Sequence, residues 1–136
     1  MRWLIKDLAK VHPTTRKYLT DATPPGGDYM RIGAKQSTRR NPGNYVAIAL
    51  FSGQHLIGWS MLDFFLSRNS PAVRTYIFVK PKYRRKGYGT KIMRKAREAA
   101  KRRGKNIRVC PWSKPSRKFF TSVNITKSEI APGFTL

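Results

Sequence analysis

Acidic residues are scarce in this chain of 136 residues, which has 6 aspartates and glutamates against 29 lysines and arginines. So few carboxylates permit few internal ion pairs, and the formal net charge is +23. A charge of this size attracts polyanions and speeds association with them, although it says nothing about the fold. Solubility alone needs no such excess, so the composition predicts an anionic partner, of which nucleic acid is the commonest.

Cysteine and histidine are rare as well. A single cysteine, Cys110, excludes an internal disulfide framework and fits a reducing cytoplasm. His12 and His55 are widely separated, and together with the lone cysteine they provide no metal-ligand spacing. The sequence therefore predicts no metal site.

Long apolar runs are absent from the sequence. No stretch approaches the length of a membrane span, and the apolar run in "MRWLIKDLAK" is short and interrupted by charges, unlike a signal peptide. Hydrophobic residues still make up 40% of the chain, and aromatic residues 12%. We therefore expect residues 1–136 to form a single folded, soluble, cytoplasmic domain.

The hydrophobic pattern predicts strands that precede and follow helices, which indicates an α/β or α+β fold. A polar, basic segment from Asp28 to Asn44 is broken by Gly33 and Pro42 and is predicted to be a loop or poorly formed helix that contacts substrate. Strands are expected in "MRWLIKDL", in the hairpin "NYVAIALFSGQHLIGWSMLDFF", in "AVRTYIFV" and "KNIRVCPW", and once or twice in "NITKSEIAPGFTL". Helices are expected from Pro13, from Gly89 to Gly104, and in "SKPSRKFFTSV" after an N-cap at Ser113.

The helix that begins at Gly89 has one apolar stripe and an otherwise basic surface. Its apolar residues recur at helical spacing, which predicts a single buried face. The stripe consists of Ile92, Met93, Ala96, Ala99 and Ala100, and the cations are Lys91, Arg94, Lys95, Arg97, Lys101 and Arg102.

The segment "RRKGYGTK" lies between a predicted strand and this helix. Unpaired N–H groups and a positive dipole at a helix start, combined with glycines that permit close approach, favour phosphate binding. The dinucleotide fingerprint requires a third glycine where Ile92 stands, and the spacing of a P-loop is absent. A simple turn, in which glycines only relieve strain, is the alternative interpretation.

The pattern Arg84-x-x-Gly87-x-Gly89 resembles the acyl-CoA pyrophosphate loop of the GNAT superfamily of N-acetyltransferases. The likeness is strongest from Tyr76 to Ile125 and weak before Asn44. It implies a GNAT-like mixed central β-sheet flanked by helices, with acetyl-CoA as the co-substrate. The coenzyme-binding residues that it implies are Phe78 and Val79 through their backbone, Arg84, Arg85, Lys86, Gly87, Tyr88, Gly89, Thr90 and Ser113.

The catalytic groups usual in this family are missing. The tyrosine that serves as general acid aligns with Phe120, the family's asparagine with Ser113, and a family glycine with Asn124. Ser116 and Ser122 are candidate substitutes for the acid, or else polar residues of a helix surface. Asp63 is the candidate base, or else a turn residue. Cys110 has no histidine placed to activate it and is better explained as a buried structural thiol.

The resemblance and the charge together predict acetyl transfer from acetyl-CoA to an amine. The acceptor is expected to be, or to bind, nucleic acid, such as an aminoacyl-tRNA or a protein lysine. Two alternatives stay open: a small-amine acetyltransferase, and a GNAT fold that has lost catalysis and binds nucleic acid or protein. The presumed acceptor loop adds the cations Arg31, Lys35, Arg39 and Arg40.

Overall fold

The computed structural model describes residues 1–21, 44–123 and 125–136. The presumed acceptor loop with Arg31, Lys35, Arg39 and Arg40 lies outside these described residues, as does Asn124. Within the described ranges, no helix is both long and apolar enough to cross a membrane.

Strands precede and follow helices along the described chain, as the sequence predicts. They are β1 (Arg2–Asp7), α1 (Pro13–Asp21), β2 (Tyr45–Ser52), β3 (His55–Asp63), β4 (Ala72–Val79), α2 (Tyr88–Lys101), β5 (Asn106–Val109) and α3 (Lys114–Ser122).

The prediction of a terminal strand is wrong for the described residues 125–136. This segment forms a 3-10 turn at Lys127–Glu129 and a single bridge between Ile130 and Val109. Pro132 cannot donate to a ladder, and Gly133 turns the backbone away with a φ of 89°. Pairing therefore stops after one bridge.

The five strands form one mixed sheet in the order β1-β2-β3-β4-β5. Strands β1 to β4 pair with one another in antiparallel fashion. Strand β5 is parallel to β4, and the chain reaches it through α2. A parallel neighbour requires such a crossover, and a helix supplies it. This mixed sheet with flanking helices is the predicted fold class.

Both faces of the sheet are covered, so its central strands are apolar on both sides. In β2, seven consecutive residues from Tyr45 to Phe51 are buried instead of alternating. Helices α2 and α3 pack on one face, where Ile92, Ala96 and Phe120 meet the sheet. The turn at Leu8 and helix α1 cover the opposite face. The predicted apolar stripe of α2 is confirmed, with Ala99 partly buried at its edge.

Strands β4 and β5 separate part of the way along the sheet. Their pairing runs from Ala72 to Thr75 and closes with a 2.9 Å bond from the Cys110 N–H to the Thr75 carbonyl. Beyond this point β4 continues to Val79, while the segment that follows β5 turns at Pro111 toward α3. A gap therefore opens beside the last residues of β4.

Candidate active site

A cavity of about 640 Å³ lies at this gap, between the end of β4, the start of α2 and one side of α3. Its walls combine backbone from the glycine-containing turn with side chains from the short helix α3. The lining residues are Ile77, Phe78, Val79, Tyr83, Arg84, Arg85, Gly87, Tyr88, Gly89, Thr90, Ser113, Lys114, Pro115, Ser116, Lys118, Phe119, Ser122 and Val123.

The turn before α2 has a backbone that bends sharply at two positions. Arg85 has a φ of 61° and Gly87, the N-cap, a φ of 82°. Glycine adopts such values without steric cost, and alternating turn conformations group backbone N–H donors into an anion-binding concavity. The helical ladder begins with the Lys91 N–H bonded to the Gly87 carbonyl at 3.2 Å. The N–H groups ahead of Lys91 thus have no partner within the helix.

Gly89 is needed for a different reason, which is close packing. A Cβ atom at this position would come within 2.8 Å of the Phe119 ring on α3. Real Cβ contacts are longer than this, so any side chain at position 89 would displace the ring. The second glycine therefore lets α2 and α3 approach each other across the cavity wall.

Arg84 folds back onto the strand that precedes the turn. Its Nε donates to the Val79 carbonyl at 2.8 Å, and its guanidinium lies 5.9 Å from the centre of the Phe78 ring. These contacts tie the turn to the end of β4. The guanidinium also contributes positive charge to the cavity lining.

The register of β4 determines which backbone groups face the gap. Lys80 donates to the Ile57 carbonyl of β3 at 2.9 Å, and alternation directs the backbone of Phe78 to β3 as well. The backbones of Ile77 and Val79 face the gap instead, where the Ile77 carbonyl accepts from Trp112 Nε1 at 3.2 Å. Of the expected pair Phe78 and Val79, only Val79 therefore presents its backbone to the gap, together with Ile77. Phe78 still lines the cavity.

Two of the predicted site serines form the N-terminal cap of α3. Ser113 Oγ accepts the Ser116 N–H at 3.2 Å, and Ser116 Oγ accepts the Ser113 N–H at 3.0 Å. Ser116 Oγ also donates to the Ser113 carbonyl at 2.9 Å. This reciprocal arrangement is a capping box, which satisfies N–H groups at the helix start. Both serines line the cavity, but the hydroxyl proton of Ser116 is engaged within the cap.

The remaining groups of α3 divide between cavity wall and core. Ser122 is exposed on the wall, and its hydroxyl donates to the Phe119 carbonyl at 2.6 Å. Phe119 also lines the cavity, whereas its neighbour Phe120 is 1% exposed and packs in the core beneath α2. The position that aligns with the family's tyrosine therefore points away from the cavity lining.

Asp63 lies outside the cavity. It ends β3 opposite Arg74, and Arg74 precedes the first cavity-lining residue of β4, Ile77, by three residues, which places Asp63 roughly 10 Å along the strand from the cavity edge. Its Oδ1 accepts the Leu66 N–H at 3.0 Å. Burial raises the pKa of Asp63, although the N–H groups of Leu66 and Phe65 and the charge of Arg74 act in the opposite direction. These contacts describe a buried turn residue at the end of β3, opposite the half of β4 that lies away from the cavity.

Cys110 is fully buried where β5 ends. Burial raises the pKa of the Cys110 thiol to about 11, so the thiol keeps its proton at neutral pH. A protonated thiol is a poor nucleophile. The interpretation of Cys110 as a structural thiol agrees with this environment.

The cavity lining carries positive charge, and none of the described residues in it is a carboxylate. Nine of the ten predicted coenzyme-binding residues are among its lining residues, and Lys86 is exposed outside it. The prediction missed Tyr83, Phe119 and two lysines of α3, Lys114 and Lys118. The i, i+4 spacing of these lysines is visible in the sequence and indicates a shared helix face. With Arg84 and Arg85, they bring four cations to the cavity.

Comparison with known proteins gives a family match over most of the chain. Residues 8–124 match the Acetyltransferase (GNAT) family. The chain belongs to this family. GNAT enzymes take the acetyl group from acetyl-CoA, so the predicted family, N-acetyltransferase activity and co-substrate are confirmed. A comparison with curated protein sequences finds no match.

Solved GNAT-like structures share the fold at low sequence identity. The aminoglycoside acetyltransferase AAC(6')-Iy, bound to the bisubstrate analogue CoA-S-monomethyl-acetylneamine, has a TM-score of 0.67 and 16% identity over 100% of this chain and 99% of that one. An aminoglycoside acetyltransferase from an uncultured soil metagenomic sample has a TM-score of 0.65 and 16% identity, with coverages of 100% and 98%. A ribosomal-protein-alanine N-acetyltransferase from Brucella melitensis biovar Abortus 2308 has a TM-score of 0.62 and 11% identity, with coverages of 99% and 97%.

Proposed function

We propose that the whole chain acts as one catalytic domain in the cytoplasm and binds acetyl-CoA in the 640 Å³ cavity at the start of α2. The observation that carries the site assignment is the composition of this cavity, whose described lining has grouped N–H donors and four cations but no carboxylate. Coenzyme A carries a pyrophosphate and a 3′-phosphate, and both need such surroundings. The unpaired Cys110 suits a reducing compartment.

The residues of the turn fit the phosphate end of the co-substrate. The N–H groups from Arg85 to Thr90 would bind the pyrophosphate, with Thr90 adding a hydroxyl and Arg84 adding charge. Lys114 and Lys118 on the facing helix would bind the remaining phosphate. The exposed Lys86 contributes to the surrounding field and not to a direct contact.

The gap between β4 and β5 fits the elongated part of the co-substrate. The N–H groups of Ile77 and Val79 face the gap and would donate to the amide carbonyls of pantetheine. These carbonyls would take the place of those that a neighbouring strand provides in a sheet. When bound, acetyl-CoA supplies an activated thioester. The protein's main task is then to hold the acceptor amine close to that thioester, because positioning alone supplies much of the acceleration.

Among the predicted catalytic groups, Ser122 is our candidate donor to the departing sulfur, because it is exposed on the cavity wall and its hydroxyl would only have to turn from the Phe119 carbonyl toward that sulfur. Ser116 is held in the cap of α3, and Asp63 remains a candidate base on the acceptor side. Ser122→Ala should lower kcat with unchanged stability, whereas Ser116→Ala should lower stability by about 1 kcal/mol through loss of the cap. A normal kcat in Ser122→Ala would contradict the role of Ser122.

The role of Asp63 is tested by Asp63→Asn over a range of pH. Because its folded-state pKa lies above 3.8, the folded protein binds more protons there than the unfolded protein does. The free energy of unfolding should therefore fall as pH rises from 3.8 through the folded-state pKa, and the asparagine should remove this slope. A general base would also make kcat fall by about 100-fold or more in Asp63→Asn. A kcat within a few-fold of the parent would restrict Asp63 to the turn.

For the acceptor, we infer an amine on a macromolecule that is, or binds, nucleic acid: an aminoacyl-tRNA or a protein lysine. The net charge of +23 supports this choice. A small amine is the second candidate, supported by the similarity to aminoglycoside acetyltransferases. The ribosomal-protein acetyltransferase among the similar structures is compatible with a macromolecular acceptor.

The experiment that tests the function combines binding and product detection. Calorimetry should detect acetyl-CoA binding, and mass spectrometry of cell lysate incubated with the protein and labelled acetyl-CoA should reveal the labelled acceptor. Transfer to a macromolecular acceptor should fall steeply with added salt, since phosphate contacts depend strongly on salt. A salt-insensitive rate on a small amine would favour the second candidate, and an absence of acetyl-CoA binding would overturn the cavity assignment.

A further inference from the structure

The outward face of α2 is strongly basic along its whole length. Exposed or half-exposed on it are six cations and one carboxylate, Glu98. We call this surface the basic face of α2, and its cations are Lys91, Arg94, Lys95, Arg97, Lys101 and Arg102. None of these six residues lines the 640 Å³ cavity, so coenzyme binding does not account for them.

Carboxylates neutralise only part of the basic face within the described residues. Glu98 lies 3.8 Å from Lys95, and Glu129 lies 3.2 Å from Arg97. The other four cations have no carboxylate within ion-pair distance in the ranges that the structure describes. Like charges held on one helix destabilise each other. An anionic partner would relieve that repulsion.

A second cavity, of about 550 Å³, continues the basic face at the end of α2 farthest from the glycine turn. Arg97 and Lys101 line it from α2, and Arg108 lines it from β5. Lys105 also lines it, with its Nζ bonded to the carbonyls of Ser67 and Ser70. Glu129 is the one carboxylate among the described residues of this lining, and it is bonded to Arg97 and Thr126. The face and this cavity therefore form one continuous basic surface.

The dimensions and chemistry of this surface fit a regular array of phosphates. Helix α2 has 14 residues and is about 21 Å long, which matches roughly six steps of a duplex strand. Its aromatic neighbours lie beneath cations: the Tyr88 ring is 5.7 Å from Lys91 Nζ, and the Trp3 ring is 5.7 Å from Lys95 Nζ. Unpaired strands are usually bound by stacking on open aromatic rings. On this surface the two rings are in contact with lysines, and its excess of cations is suited to the backbone of a duplex.

We propose that the basic face of α2 and the adjoining 550 Å³ cavity bind the phosphodiester backbone of double-stranded nucleic acid. This inference deepens the proposed function, because it names the surface by which the enzyme would hold an acceptor that is, or binds, nucleic acid. The coenzyme would bind in the cavity at the start of α2 and the duplex along the outward face of the helix, so the two would bind simultaneously.

The test is fluorescence anisotropy with a labelled DNA duplex of about 20 base pairs, which is longer than α2, over a series of salt concentrations. The triple variant Arg94→Gln, Lys101→Gln, Arg102→Gln removes three contacts from the basic face. Its slope of log affinity against log salt should be about 2.7 smaller in magnitude than that of the parent, or about 0.9 for each lost contact. The matched control Lys6→Gln, Lys10→Gln, Lys17→Gln removes equal charge from exposed positions outside the basic face and should keep the parent's slope.

Three outcomes would overturn the proposal. Equal slopes in the two triple variants would mean that net charge, and not this surface, binds the duplex. Displacement of the duplex by acetyl-CoA would place the polyanion in the 640 Å³ cavity. Binding of polyglutamate as tight as that of the duplex, with the same loss in the first variant, would indicate an acidic protein. Calorimetry with acetyl-CoA on the same variant separates this proposal from the proposed function, because the substituted residues do not line that cavity.

Discussion

The two ends of α2 are both basic, yet they differ in how their charge is arranged. At the first end, cations surround a cavity in which the backbone turns sharply at Arg85 and Gly87 and a helix wall stands opposite. Along the rest of the helix, cations lie on an outward surface that continues into the second cavity. A sharp turn that groups backbone N–H donors suits one small anion of defined shape, whereas an extended surface of side-chain cations suits a repeating one. Similar residue types therefore support different ligands because the backbone around them differs.

Gly87→Glu should have the largest effect, which is the loss of acetyl-CoA binding at the start of α2. Glutamate disfavours a φ of 82° and would place a negative charge where the pyrophosphate is expected, so calorimetry should detect no acetyl-CoA binding. Gly87→Asn is the control, because asparagine tolerates left-handed backbone and adds no charge. Duplex binding should decrease only by the effect of one added negative charge. Acetyl-CoA binding equal to that of the parent in Gly87→Glu would contradict the assignment of the turn.

Gly89→Ala should destabilise the start of α2 through a steric clash, without any change of charge. The new Cβ would meet the Phe119 ring at 2.8 Å, and overpacking of this kind costs about 1–3 kcal/mol of unfolding free energy. Denaturant unfolding measures the loss. Adding Phe119→Leu removes the ring and should recover part of the stability. Equal losses in the single and double variants would show that Gly89 is required for another reason.

Phe120→Tyr sharpens the distinction between the cavity wall and the core behind it. Phe120 is 1% exposed, and a hydroxyl buried there without a partner should lower the unfolding free energy by about 1–3 kcal/mol. Phe119→Tyr, on the wall, should change it by no more than about 0.5 kcal/mol. A Phe120→Tyr protein with full stability and higher activity would show that this position reaches the reacting groups.

Glu129→Gln tests the second end and should have the smallest effect. The pair between Glu129 and Arg97 is partly exposed, so its loss should cost about 0–1 kcal/mol of stability. The substitution also removes the ion-pair partner of Arg97, which lies in the basic surface, so duplex affinity should rise by a factor of about 5 at most. Acetyl-CoA affinity should stay the same. Weaker duplex binding in this variant would show that Glu129 positions Arg97 for the ligand.

Much of the fold and part of the site could be predicted because their signals are local. The periodicity of Ile92, Met93, Ala96 and Ala100 specifies the buried side of α2, since one turn of helix relates neighbouring positions. The prediction of a terminal strand was wrong for the opposite reason, because strand pairing depends on a partner that is distant in the sequence. Residues 125–136 contain strand-like side chains, but the structure gives them one bridge to Val109.

The sequence by itself determined the glycine spacing, the strand-turn-helix order and the excess of positive charge, because each depends on residues that are neighbours along the chain. The tertiary structure decided that the backbone N–H and carbonyl of Ile77 face the gap while those of Phe78 face β3, since this depends on sheet register. It also decided that Phe119 lines the cavity while Phe120 is buried, because two adjacent helical residues point in directions that only packing can distinguish. The structure also separates the roles of the two glycines at the start of α2: Gly87 permits the turn, and Gly89 permits the approach of Phe119.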